Sequence, residues 1–135
     1  MFKIFVRALI FNQEKKVLLT KKNDHQKIWA WCWMPPGWTL EFWETPEETV
    51  IREFQEEVGI ELTNLKLFSV DSLIIDDVEW IGIYYLADKK SWEVINKEPE
   101  KHEKVERVSF EEIPEMWNKE VVQRAFSAKF KLSNL

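Results

Sequence analysis

Residues 45–59 constrain this chain most, because residue type specifies both ends and one face of a helix there. Thr45 is an N-cap residue, Pro46 suits the first turn, and Glu48 completes a capping box with Thr45. Val50, Phe54 and Val58 recur every four residues and give the stripe that packs on a core. Gly59 is placed to end the helix in a left-handed conformation. A helix bounded in this way needs a flat apolar partner, and the flanking segments supply one.

Phe2, Ile4, Val6, Ala8 and Ile10 alternate along one wholly apolar face, the period of a strand. The polar run 12–16 reads as a turn and 16–20 as a second strand, so the first two strands are expected to form a hairpin. Residues 29–34 are apolar until Pro35-Pro36-Gly37 forces a break. Beyond the helix, 65–75 and 78–87 read as strands joined at Asp76-Asp77. The second is apolar on both faces, as a central strand is. A further strand is expected over 104–110. Asn118 is placed to cap a last helix striped by Val122, Phe126 and Phe130, with Val121 and Ala125 beside them. Strands interrupted by one helix and closed by another imply an α/β sandwich on a mixed β-sheet, one domain over residues 1–135.

Composition narrows the function classes. A net charge of −5 argues against a broad grip on nucleic acid polymers or an anionic membrane. The apolar N-terminal run carries Lys3 and Arg7, lacks a small-residue cleavage site and is too short to span a bilayer. The single cysteine, Cys32, excludes an intrachain disulfide and points to a reducing, cytoplasmic setting; it reads as a semi-buried thiol more readily than as a nucleophile.

Chemistry concentrates in the C-terminal half of the helix. Glu53, Glu56 and Glu57 fall within about a third of its circumference, roughly a quarter-turn from the Val50–Phe54–Val58 stripe. They line the edge of the packed face, repel one another and sit at the wrong end of the helix dipole for carboxylates. A divalent cation would offset both penalties, and hard carboxylate oxygens suit Mg²⁺ or Mn²⁺, whose remaining ligands are water and substrate phosphates. On spacing alone, a solvated acidic face with Arg52 offsetting Glu56 accounts for the same residues.

The stretch from Gly37 to Ile60 resembles the Nudix box: Gly, five residues, Glu, seven residues, Arg-Glu, then two residues, Glu-Glu, one residue, Gly and an aliphatic residue. Arg52-Glu53-Phe54-Gln55-Glu56-Glu57-Val58-Gly59-Ile60 matches its second half, and Glu44 falls at its first acidic position. More weakly, Glu98-Pro99-Glu100-Lys101 with Glu103 resembles a segment of MutT-like nucleotide pyrophosphatases, and 110–114 a strand-to-helix junction of that family. The resemblance implies a Nudix-type α/β/α sandwich and metal-dependent hydrolysis of a diphosphate bond in a nucleotide or nucleoside-diphosphate-linked small molecule. Cleavage of a nucleoside triphosphate to monophosphate and pyrophosphate is the favoured form. It implies Glu53 and Glu57 as principal metal ligands, with Glu56 as third ligand or base. Arg52 would orient these carboxylates and Glu44 would support that network. Glu100 and Glu103 are candidates for a further ligand or base; solvated charges in a turn explain them equally well. Gly37 and Trp38, with Trp29 and Trp80, are the candidate substrate contacts, from an aromatic set that also holds Trp31, Trp33, Phe5 and Tyr84.

The chain departs from the pattern in two places. The opening Gly of the box falls at Trp38, and a Gly usual just before the first Glu falls at Trp43. A bulky residue in left-handed backbone costs roughly 1–2 kcal/mol. Three readings follow: a remodelled loop with Trp38 as lid or stacking surface, a nucleotide-binding module impaired in catalysis, or Gly-to-Trp replacement by codon misassignment or engineering. Scarce glycine (3) beside abundant tryptophan (8) motivates the last. A structural α/β protein with an acidic helix stands as the non-catalytic alternative, and exposed tryptophans would suit a homodimer interface.

Overall fold

A computed structural model describes residues 2–23, 32–41, 43–90 and 94–130. The first strand, β1 (Phe2–Leu9), lies inside a four-stranded sheet. It runs antiparallel to β4 (Gly37–Thr39) on one side and parallel to β6 (Val78–Lys89) on the other; β5 (Leu62–Ile75) forms the far edge. A second, three-stranded sheet has β2 (Val17–Lys22) at its centre, between β3 (Trp33–Met34) and β7 (His102–Val108). Among the described residues there are two α-helices, α1 (Pro46–Val58) and α2 (Lys119–Phe130).

The two faces of β1 carry the two halves of the core. Val6 and Ala8, continued by Ile10, pack in one buried cluster with Val50, Phe54 and Val58 of α1. Phe5 and Leu9 pack in the other with Trp80, Tyr84, Val122, Ala125 and Phe126. The sheet is therefore covered on both sides, the α/β/α arrangement expected. Burying β1 on both faces exchanges apolar area for roughly 25 cal/mol per Å², which explains a strand core with no solvent face.

Local chemistry sets the elements as the residue types dictate. Thr45 accepts from the Glu48 amide while Glu48 reaches back to the Thr45 amide, and Gly59 closes α1 at φ 71°. Asp76 and Asp77 take φ of 50° and 63°, the two left-handed residues of a tight hairpin turn between Ile75 and Val78.

The expected first hairpin is only half present. Asn12 Oδ1 accepts from the Glu14 and Lys16 amides, and Phe11 bridges Val17, so the turn forms. The strands it joins nevertheless enter different sheets, because β4 and β6 already occupy both edges of β1. The strand expected at 104–110 runs instead from His102 to Val108, and Phe110 opens a one-turn 3-10 helix at whose start the Ser109 amide and hydroxyl both donate to Glu112 Oε1. The strand expected from 65 starts at Leu62 and bulges twice against β6. Asn118 precedes α2 and its carbonyl accepts the Val121 and Val122 amides, but its side-chain amide donates to the Tyr84 hydroxyl.

Candidate active site

Helical spacing turns Glu53 and Glu57 inward, 6% and 1% exposed, and leaves Glu56 in solvent. Arg52 gathers the acids around itself. Its Nε and Nη2 donate to the Glu44 carboxylate at 2.9–3.1 Å, and its Nη1 lies 2.9 Å from Glu53 Oε1 and 3.0 Å from Glu56 Oε2. Thr49 Oγ1 also donates to Glu44. Those bonds hold the Glu44 carboxyl below its ordinary range. Glu44, eight residues upstream, is thereby tied into the same network as the helix acids.

Glu57 is held from three directions. The Gly37 amide donates to its Oε2 at 3.0 Å, His102 Nε2 lies 3.1 Å from its Oε1, and the Lys22 ammonium 3.6 Å from the same oxygen. Burial would raise its pKa, but the His102, Lys22 and Arg7 contacts outweigh burial and hold it down, so Glu57 is ionised. Glu53 goes the other way. Burial, then the Glu57 and Glu56 charges, push it up to about 7 against the pull of Arg52. Lys22, desolvated in the same place, is pushed down to about 8.

Gly37 earns its position sterically. At φ 140° a Cβ there would meet the Val6 carbonyl oxygen at 2.0 Å, so only glycine brings this amide to Glu57. Buried Arg7 fixes the same turn through Nη1, which donates to the Pro35 and Gly37 carbonyls at 2.8 and 3.0 Å.

The loop between β6 and β7 closes the site. Its Ile95 and Lys97 amides donate to the Val58 and Glu57 carbonyls, and the Lys97 ammonium donates to the Gln55 carbonyl, satisfying the end of α1. This docking brings Glu98 and His102 to Glu57, and ligand atoms of the three lie within 4.8 Å of one another. Glu98 Oε1 and His102 Nδ1 are buried with no hydrogen-bond partner among the described residues. Oxygen donors in excess of their cations, with an orphaned carboxylate oxygen among them, fit a hard divalent ion.

Of the predicted residues, Arg52, Glu44, Glu53, Glu56 and Glu57 converge, and Gly37 joins them through its amide. Trp38 stands next to them with its ring centroid 4.3 Å from Lys22 Nζ. Glu103 is not in the group. It pairs with Lys21 at 3.4 Å, on the face of β7 opposite its neighbour His102. Glu100 is exposed. Trp80 lies in the core, 4% exposed against Phe5, instead of lining an open slot. Trp29 and Trp31 lie outside the described residues. A small recess beside Arg7, lined by Phe5, Trp33, Met116, Trp117 and Asn118, is the aromatic feature adjoining the site. The expected strain at the two tryptophans is absent. Trp38 is extended and paired with Val6 in the β1–β4 ladder. Among the described non-glycine residues, positive φ belongs to Lys15, Asn64, Asp76 and Asp77.

Sequence reasoning missed Glu98, His102 and Lys22. The available signal was strand parity: with β7 starting at His102, His102 and Glu103 must face opposite ways.

Fold and site define an α/β sandwich whose capped helix presents carboxylates fit for a cation and a diphosphate. The NUDIX domain model matches residues 1–130, and the chain belongs to that family. It is 31% identical over 100 residues to the uncharacterized Nudix hydrolase YvcI of Bacillus subtilis, over 70% of this chain and 60% of that protein. It is 40% identical over 57 residues to the m7GpppN-mRNA hydrolase NUDT17 of Xenopus laevis, over 42% of this chain and 19% of that protein. The chain thus matches less than two thirds of the length of these curated relatives. Among solved structures, a MutT NUDIX hydrolase from Burkholderia pseudomallei superposes with a TM-score of 0.80 at 26% identity, covering 96% of this chain and 98% of that one. A MutT protein from Methanosarcina mazei Go1 shares the fold, with a TM-score of 0.83 at 22% identity over 97% and 96% of the two chains.

Proposed function

We propose that the chain hydrolyses a diphosphate bond in a nucleotide or nucleoside-diphosphate-linked small molecule, with Mg²⁺ as cofactor and Mn²⁺ as a substitute. A nucleoside triphosphate cleaved to monophosphate and pyrophosphate is the favoured substrate class. The carrying observation is the carboxylate array itself: Glu53 and Glu57 buried, Glu56 accessible, all aimed by Arg52 and by the Gly37 amide. Glu53 and Glu57 would hold the metal, with Glu98 beside them. When bound there, the metal supplies charge neutralisation and Lewis-acid polarisation for the phosphates.

The chain's own residues account for the rest. Glu57 is kept ionised and fixed in direction. Glu53, raised to about 7 when no cation offsets its neighbours, gives up that proton on taking a metal. Glu56, the most accessible of the three, is the acceptor for a proton from the attacking water, with Arg52 steadying its carboxylate. Trp38 offers a half-buried ring beside the site for stacking. The impaired-module reading draws on backbone strain at Trp38 and Trp43 and on obstruction of a phosphate by the ring; the strain is absent, since neither residue has positive φ.

Incubating the full chain with a nucleotide panel and Mg²⁺, with products resolved by ³¹P NMR, tests this reading. Pyrophosphate and monophosphate appearing only with metal is the expected result. Absence of any phosphorus-containing product across triphosphates, diphosphate-linked sugars and dinucleotides would contradict it.

A further inference from the structure

Lys22 is an unusual side chain to bury beside a carboxylate helix. Only 2% of it is exposed, and its ammonium has three neighbours suited to a cation: Glu57 Oε1 at 3.6 Å, His102 Nε2 at 3.0 Å and the Trp38 ring centroid at 4.3 Å. The β2–β7 ladder sets Lys22 opposite His102, after a bulge between Lys21 and Lys22. The arrangement is a cation site whose cation comes from the chain.

It is also imperfectly satisfied. His102 Nε2 lies within reach of both the Lys22 ammonium and Glu57 Oε1, and one ring nitrogen cannot both accept from the first and donate to the second. If it accepts from Lys22, the ring proton sits on Nδ1, which is buried with no partner among the described residues. If it donates to Glu57, Lys22 loses the imidazole as an acceptor and keeps only the longer contact to Glu57 Oε1. Glu98 Oε1 beside them likewise has no hydrogen-bond partner among the described residues. A divalent ion drawing on Glu57, Glu98 and His102, whose ligand atoms lie within 4.8 Å of one another, would have to share the Glu57 carboxylate and the His102 ring with an ammonium of like charge.

We propose that Lys22 is a built-in competitor of the divalent cation, its ammonium standing beside Glu57 and His102 in the metal-free chain and withdrawing from Glu57 when a metal is held there. This rests on the reading of Glu57 as a metal ligand. It makes Lys22 a residue that sets the threshold for metal loading, and it predicts that removing its charge tightens metal binding.

The test is a titration of the full chain with Mn²⁺ alone, free ion followed by EPR, for wild type, Lys22→Met and Lys22→Arg. Lys22→Met should bind Mn²⁺ about tenfold more tightly, ~1.4 kcal/mol, and Lys22→Arg no more tightly than wild type. Lys22→Met binding equally or more weakly, with wild type still binding, overturns the proposal and leaves the metal-ligand reading intact. Wild type that binds no Mn²⁺ removes that reading itself. Thermal unfolding guards against a folding defect. Metal-free Lys22→Met should be the less stable chain, and Mn²⁺ should raise its Tm by more than it raises that of wild type. If the variant is unfolded without metal, recovery of its folded circular dichroism on adding Mn²⁺ supports the proposal, and failure to recover overturns it.

Discussion

Glu53 and Glu57 are one helical turn apart, yet they hold protons with opposite affinity, and partners decide the difference. Glu57 has an imidazole, an ammonium and a backbone amide on its oxygens, whereas Glu53 shares Arg52 with three other carboxylates, Glu41, Glu44 and Glu56. For Glu53, raised to about 7, the metal-free fold keeps a proton that the unfolded chain has lost. Its contribution to stability is therefore full below pH 4.5 and declines as pH rises towards 7. For Glu57 the folded value is lowered, so its contribution is present above the unfolded value and is lost as pH falls below it. Metal-free protein should thus lose roughly 2 kcal/mol between pH 5 and 7.5 through Glu53, after discounting for solvent at the helix edge. Chemical denaturation at the two pH values checks this, and Glu53→Gln, which mimics the protonated acid, should flatten the decline. A decline unchanged in Glu53→Gln would assign it elsewhere. Arg52 acts through its neighbours. Arg52→Ala should weaken metal affinity or turnover by roughly 10- to 100-fold, and Arg52→Lys should recover little, because an ammonium cannot fork onto Glu44 while reaching Glu53 and Glu56. Metal titration by calorimetry and steady-state kinetics read both.

At the scale of elements, α1 and the Gly37 turn are the parts on which the site depends, and they differ in what they tolerate. Gly37→Ala places a Cβ against backbone, with no flexible side chain to yield, so it should destabilise by roughly 4 kcal/mol or more and release the Glu57 carboxylate. Trp43 is 89% exposed and not at positive φ. Trp43→Gly should therefore lower stability, backbone freedom contributing about 0.5–1 kcal/mol. Trp38→Gly should cost more, roughly 2–3 kcal/mol, because it removes a half-buried ring from a strand and from Lys22. Thermal melts of the three variants rank them, and a gain in stability for Trp43→Gly would mean that the turn requires glycine after all. The helix and its carboxylates were legible in the sequence because Thr45, Glu48, the Val50–Phe54–Val58 stripe and Gly59 are all local signals. The β1–β2 relation was not, since which sheet a strand joins depends on strands far along the chain. Glu98, His102 and Lys22 escaped for the same reason: a β2–β7 register and a loop docked on the end of α1 bring them together across as many as 80 positions.

For the whole molecule, two half-cores either side of β1 fix α1 against one face while the three-stranded sheet and the β6–β7 loop bring cationic and imidazole partners to its acids. The larger surface clefts, such as the one floored by Leu9, Phe11, Leu65 and Leu86, lie away from this convergence. Among the described residues no helix is long and apolar enough to cross a membrane. Such a site should couple metal binding to folding. A fixed Mg²⁺ concentration, about 100 times the Kd measured at pH 7.5, should add ~2.7 kcal/mol of stability at that pH and less at pH 5, where Glu53 retains its proton. Differential scanning calorimetry at both pH values measures this, and equal gains would contradict the assignment of Glu53 as a ligand. The most direct test of the central claim is pyrophosphate release from nucleoside triphosphates by wild type and Glu57→Gln in saturating Mg²⁺. The account predicts turnover in the wild type that falls by roughly a hundredfold or more in the variant, with the fold intact by circular dichroism. Turnover surviving unchanged in Glu57→Gln would contradict it.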